Sequence, residues 1–485
     1  MRARTAALSL AALCACAPAP QYEPPPQPVP ATWRDTTAVQ VASVADAPWW
    51  RIYRDTTLAR LVRTALAHNT DLGIALEGVT AARAMLAAAR GAQLPTLAAF
   101  AAVDRASAHI SEAATGTSAA TSYTSTSKDY TAELNARWEL DIFGLLRNDA
   151  RSAAATLQAT EERRRGVALL VVAGVASAYV DLQAADQDLE VANRALAARR
   201  GYLDATKRRL DSSASAELDY RQAQGLYEAA RETAIDLQEG AAGAENALSV
   251  LLGRAPGPIP RTGAPGDQLL AAVPAGLPSA LVARRPDVRA AERDLAAAGA
   301  DVGAARAQLL PQVDVGAGFW WTKTPGDSTV IQGFSMVTPT TTVTRWDVSL
   351  SVSQPLFMGG RLVADLHGAE SRRRAALLAY QGVVLGALQD VETQLAAMRF
   401  AGERRPLADS QVVYAAAALK AAEARYAAGA SPFLEVVDAQ RTLLAAELGA
   451  VAARVRQADA VIGLYEALGG GWQDDSTAAT GGPTR

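Results

Sequence analysis

Two periods of apolar residues alternate along the chain. Around Leu58–Leu94, Leu145–Leu210 and Arg361–Tyr426 they recur every three or four positions, the helical spacing. The first stretch predicts a helix or a helix pair. The second contains no proline and few glycines, and at ~1.5 Å per residue its roughly 66 residues reach on the order of 100 Å. The third is interrupted only at Pro406. Helices of that length imply coiled-coil or membrane packing rather than a compact domain. Inside the first long helix, GVALLVVAGVASAYV (Gly166 to Val180) falls short of the ~20 apolar residues that cross a bilayer, so it reads as a segment buried against other helices.

Between the helices the period becomes two. In YTAELNARWELD, Tyr130, Ala132, Leu134, Ala136, Trp138 and Leu140 face one way and Thr131, Glu133, Asn135, Arg137, Glu139 and Asp141 the other. RWDVSLSVS repeats the pattern, with Trp346, Val348, Leu350 and Val352 on its apolar side. Partner strands precede each, at Thr96–Asp104 and Gln312–Thr322, and the Ser/Thr-rich SAHISEAATGTSAATSYTSTSK and KTPGDSTVIQGFSMVTPTTT read as the loops between partners. Strands of ~9–11 residues with one apolar and one charged face suit a membrane β-barrel. A soluble sandwich that buries the apolar face is the alternative. Four strands cannot enclose a channel and lipid tolerates no open sheet edge, so a barrel has to be shared between chains; three copies of four strands give twelve.

The whole pattern is written twice. RLDSSASAELDYRQAQ (Arg209 to Gln224) returns 216 residues later as RYAAGASPFLEVVDAQ (Arg425 to Gln440), identical at six of sixteen positions. The same offset places Leu94-Pro95 on Leu310-Pro311 and Leu252-Gly253 on Leu468-Gly469. A fixed long period marks a duplicated unit. In each copy the long helix ends at this line and a second helix returns from about Glu217 or Phe433. The small residues Ser212 to Ser215 and Ala428 to Ser431 predict two hairpin turns with a capping serine, and Pro432 suits a first helical position.

Charge is nearly balanced at a formal −3, which argues against a nucleic-acid partner. His68, His109 and His367 lie far apart without ligand spacing, so no metal or other cofactor is expected. No nucleophile stands beside a base, which argues against an enzyme. At the N-terminus Arg2 and Arg4 precede a short apolar run, a secretory signal. Leu13-Cys14-Ala15-Cys16 fits the bacterial lipobox, making Cys16 the lipidated first mature residue, and Ala17 in place of Asp favours the outer membrane. The Pro-rich APAPQYEPPPQPVP then reads as an extended tether.

Lipobox, tether, the Pro48-Trp49-Trp50-Arg51-Ile52-Tyr53 segment, the duplication and the two small-residue tips together resemble the TolC family of outer-membrane efflux ducts, in its OprM-like or NodT-like lipoprotein branch. The resemblance implies an α+β membrane protein and a homotrimer, with a twelve-stranded outer-membrane barrel and a long periplasmic barrel of coiled-coil helices. On that reading residues 1–15 are the signal peptide, 16–57 the tether, 58–253 and 277–469 the two repeats, 254–276 an equatorial linker and 470–485 a tail. It also implies carboxylates at a periplasmic gate, here Glu435 and Asp438, with Asp219 the equivalent of Glu435 and Gln222 that of Asp438 in the first copy. The tips would dock a periplasmic adaptor through Arg209, Ser213, Ser215, Arg425, Gly429 and Ser431. Energy would come from a resistance-nodulation-division transporter in the inner membrane, and the default cargo is small molecules. A type I protein-secretion exit, a heavy-metal cation efflux duct and a purely structural envelope lipoprotein are the alternatives.

Overall fold

The computed structural model describes residues 30, 33, 55–112, 121–212, 217–261, 284–326, 328–331, 334–337 and 339–470. The signal sequence, Cys16, nearly all of the tether, Ser213, Ser215, most of the linker and most of the tail lie outside the described residues. Two compact units result, one built mainly from Ala81–Leu157 and Asp294–Leu377, the other from Pro25–Thr80, Gln158–Arg293 and Leu378–Arg485.

The elements, in chain order, are α1 (Thr56–His68), α2 (Thr70–Gly91), β1 (Thr96–Glu112), β2 (Thr121–Leu140), α3 (Leu145–Asp211), α4 (Glu217–Leu251) and α5 (Pro286–Ala307). Then come β3 (Gln312–Thr324), β4 (Ser328–Ile331), β5 (Phe334–Val337), β6 (Thr341–Ser353), α6 (Arg361–Ala427) and α7 (Phe433–Ala467). Adding 216 to the bounds of α2, α3 and α4 gives those of α5, α6 and α7 without remainder. The duplication is therefore structural. The predicted α1–α2 stretch is a pair, divided at Asn69. Its backbone N–H donates to Ala65 O, closing α1, while its Oδ1 accepts from the N–H groups of Asp71 and Leu72, opening α2.

In the first unit the strand order is β1-β2-β3-β6, all antiparallel, and β4-β5 form a separate small hairpin. Here two expectations fail. The first Ser/Thr-rich stretch is mostly strand, because β1 runs to Glu112 and β2 starts at Thr121, and the second holds the β4–β5 hairpin rather than a plain loop. Facing hydroxyl pairs such as Ser107–Thr126 and Ser111–Ser122 continue the ladder where the apolar alternation stops, since β-branched Thr favours strands and Thr/Ser pairs stabilise them.

The core of the second unit gathers Val172, Val175, Ala176, Tyr179 and Leu182 of α3, all 3 % exposed or less, with Leu58 and Val62 of α1, Leu248 of α4, Val391 of α6 and Leu464 of α7. Most of the Gly166–Val180 run is buried against other helices, as expected, with Leu170 left exposed. Each large aliphatic side chain removed from water here contributes about 1.5–3 kcal/mol. Tyr179 Oη donates to Asp55 Oδ2 at 2.9 Å, so its hydroxyl is not left unpaired. Three helix ends close with the same geometry: at Gly253, Gly429 and Gly469 the backbone takes φ +68, +70 and +67°. In each the glycine N–H and the next one reach back to carbonyls three and five residues earlier, as Gly429 to Tyr426 and Ala430 to Arg425 do. At Gly253 a Cβ would also come within 2.0 Å of His68 O, so glycine is required there on two counts.

Pro406 does not interrupt the second long helix: α6 runs through it. A proline removes one backbone hydrogen bond, that to residue 402, which is a glycine, and Ser410 Oγ bonds back to Pro406 O at 2.8 Å. The turns on either side are largely exposed, so the helix continues on the propensity and the hydrogen bonds of its remaining residues.

One core carboxyl is poorly matched. Asp188 on α3 is partly buried, its Oδ1 has no hydrogen-bond partner, and burial pushes its carboxyl up to about 6. Because the folded value lies above the unfolded one, the native state holds the extra proton between about pH 4 and 6, and stability falls as pH rises through that window. Asp188→Asn, which cannot ionise, is expected to stabilise the protein at pH 7.5 by on the order of 1–2 kcal/mol after allowance for solvent screening. Thermal unfolding followed by circular dichroism should show the gain at pH 7.5 and none at pH 4; an equal shift at both pH values would contradict the assignment.

Candidate functional site

The second hairpin tip is built around Phe433. This side chain opens α7 and is 1 % exposed, packed with Val436 and Val437 one turn on, Ala223 and Leu226 of α4, and Tyr202, Leu203, Leu419 and Tyr426. Its ring lies 5.2 Å from Tyr426 and 6.2 Å from Tyr202, both tilted. Since Phe433, Val436 and Val437 take the inward positions of the helix, Glu435 and Asp438 are left on its outer side, one turn apart. Arg425 Nη2 lies 3.6 Å from Glu435 Oε1, tying the end of α6 to the start of α7. Among the described residues Asp438 forms no ion pair. Asp219 stands in the first turn of α4, at the position that Glu435 holds in α7.

Arg209, near the end of α3, places its guanidinium 5.0 Å from the Tyr426 ring, so the structure brings Arg209, Arg425 and Glu435 to one tip. Ser431 departs from expectation. It caps nothing: Pro432 is the N-cap, with φ −69 and ψ 157°, no side chain bonds to the first turn, and Ser431 Oγ is buried without a partner. Pro432 accordingly sits one residue before the first helical position that its ring suggested. Its extended ψ carries the chain out of the Gly429 turn before Phe433 enters the apolar cluster.

Sequence reasoning missed Tyr202, whose hydroxyl donates to a carboxylate oxygen of Glu423, linking α3 to α6. Burial, then the Glu423 carboxylate, raise its phenol above the ordinary range. A signal existed in the broken repeat: Tyr202, Tyr426 and Phe433 fall opposite Ala418, Leu210 and Glu217, so the aromatic cluster belongs to no duplicated position.

The sheet has two distinct faces. The register aligns Leu97, Ala136, Ala317 and Val348 in one row across all four strands and Ala99, Leu134, Phe319 and Trp346 in the next. Leu97, Val348 and Trp346 are 69, 68 and 75 % exposed, a continuous apolar surface that the chain itself does not cover. On the opposite face Arg137 Nε bonds Asp314 Oδ1 at 3.1 Å, and Arg345 lies 5.5 Å from the Trp320 ring. Among the described residues β1 and β6 each pair along one side only.

An antiparallel sheet with a lipid-compatible face and a charged face, combined with duplicated helical hairpins, defines a channel-forming protein of the bacterial outer membrane. Comparison with known proteins agrees. The chain matches the family described as Outer membrane efflux protein over residues 61–254 and again over 277–470, and it belongs to that family. It is the outer-membrane channel component of an efflux pump and not an enzyme. It is 33 % identical over 448 residues to the pyoverdine export outer membrane protein OpmQ of Pseudomonas putida, covering 92 % of this chain and 93 % of that one. Outer membrane protein OprJ of Pseudomonas aeruginosa is likewise 33 % identical, over 92 % of this chain and 91 % of its own. The crystal structure of the open state of the MtrE outer membrane channel of Neisseria gonorrhoeae superposes with a TM-score of 0.77 at 29 % identity, covering 94 % of this chain and 99 % of that one.

Proposed function

We propose that three copies of the chain close one twelve-stranded barrel in the outer membrane and continue into the periplasm as a helical duct. This duct passively conducts small molecules delivered by an inner-membrane resistance-nodulation-division transporter through a periplasmic adaptor. The observation that carries the reading is the pair of open edges: among the described residues β1 and β6 each lack a partner on one side, and an edge in lipid is not tolerated. A row of apolar residues on one face and ion pairs on the other give such a barrel a lipid wall and a wet lumen. Small-molecule cargo is supported by relatives named for pyoverdine, solvent and toluene export.

Glu435 and Asp438, with Asp219 beside them in the first repeat, ring the periplasmic mouth in this reading and favour cations there. Arg425, Gly429 and Ser431 of the second tip, with Arg209, Ser213 and Ser215 of the first, receive the adaptor's helical hairpin. Cys16 carries the lipid that fastens the tether to the membrane. The purified full-length protein is expected to run as a heat-dissociable trimer in electrophoresis and to form pores of small conductance in planar bilayers. A monomer that forms no pore would reject the reading.

A further inference from the structure

Carboxylates are confined to one face of the sheet, where Arg137 and Arg345 accompany them. Asp104, Asp129, Glu133, Glu139, Asp314 and Asp347 all occupy positions in register with the polar face. The apolar face carries no carboxylate among its described strand positions. It carries instead Arg105, Lys128 and Lys323, all exposed. Arg105 stands directly opposite Lys128, Lys323 stands opposite Tyr130, and Lys128 Nζ lies 5.0 Å from the Tyr130 ring. None of the three cations forms an ion pair with a described residue.

Like charges facing each other across a strand pair are destabilising, and two cations beside an apolar wall have no reason to meet unless an anion lies between them. Their height on the sheet says which anion. From Val313 to Lys323 is ten residue steps along β3; at ~3.3 Å per step and a tilt of ~45° that is roughly 23 Å, close to the ~25 Å of a barrel's apolar band. The strands leave the helices at the Val313 end, so the three cations stand at the far, outer rim of the band, where an aromatic ring also marks the boundary.

We propose that Arg105, Lys128 and Lys323 form a docking surface for the phosphate-bearing headgroups of outer-leaflet lipid, which bind the outside of the barrel and offset the repulsion between Arg105 and Lys128. The inference rests on the reading that the apolar face meets lipid. It is tested by native mass spectrometry of the full-length protein in non-ionic detergent, titrated with diphosphorylated lipid A. Wild type should retain the lipid, and the combined Arg105→Gln, Lys128→Gln, Lys323→Gln variant should bind it about tenfold or more weakly. Lys323→Glu alone should weaken it as well, and millimolar inorganic phosphate should not compete. Retention of lipid by the triple variant at wild-type affinity, or displacement by inorganic phosphate, would overturn the proposal. Bilayer conductance on the same samples separates the two levels: variants that form pores and bind lipid as wild type does overturn the docking surface alone, whereas a wild type with neither pore nor lipid overturns the barrel with it.

Discussion

Replacing Glu435 and Asp438 together by alanine is expected to raise the single-channel conductance of the purified protein several-fold. The Arg425–Glu435 pair ties the two helices of the second tip at 3.6 Å, and both side chains are more than 40 % exposed. An ion pair so placed contributes only about 0.2–1 kcal/mol, yet the proposed trimer would hold three of them. If all three break on opening, the closed state loses about 0.6–3 kcal/mol, a roughly three- to hundredfold change in the balance between closed and open mouths. The apolar cluster under Phe433 does not involve either carboxylate, so the helices themselves should survive the change. If the carboxylates ring the mouth as proposed, their removal should also abolish block by divalent cations, a readout that a merely loosened tip would not alter. Equal conductance and equal block in variant and wild type would place the constriction elsewhere.

A second large effect is expected from one position on the sheet. Val348 lies mid-band on the apolar face, in the row with Ala317, Ala136 and Leu97, and its neighbour Ser349 lies on the polar face. An arginine in lipid at mid-depth costs about 2–4 kcal/mol, so Val348→Arg repeated in three copies costs about 6–12 kcal/mol. That is comparable to the whole stability of many folded domains. Ser349→Arg points to water and should be tolerated. Heat-dissociable trimer yield in outer-membrane fractions distinguishes them: loss for Val348→Arg with a normal yield for Ser349→Arg is the expected result, and equal yields would mean that this face does not meet lipid.

Much of the architecture is legible in the sequence because its elements are long. The α3 and α6 patterns run for tens of residues, and no single propensity decides them. The apolar face of β2 was readable because Tyr130 to Leu140 alternate large apolar with charged residues, the strongest contrast a strand offers. Where that contrast fades, so does legibility. From Thr121 to Ser127 both faces are hydroxylic, period two disappears, and only the pairing of β1 with β2 reveals the strand. Local rules also misjudged two places: α6 runs through Pro406, and the turn before α7 answers to the burial of Phe433 rather than to Ser431. The expectation of gate carboxylates at Glu435 and Asp438 comes from the family pattern and not from a local rule. The Tyr202–Glu423 link joins residues 221 apart, a contact that no local pattern encodes.

The identical lengths of α3 and α6, and of α4 and α7, carry an evolutionary consequence. One residue added to a helix rotates everything beyond it by about 100°, which would turn buried side chains such as Phe433 toward solvent. Insertions and deletions within the helices are therefore excluded unless both copies change in step, and since the two copies mutate separately, that route is nearly closed. Between the helices the total span is the same in both copies, and only its division changes, β1 and β2 being longer than β3 and β6. What differs between the copies is how strands and loops share a constant span, while the helices are held to a fixed gauge.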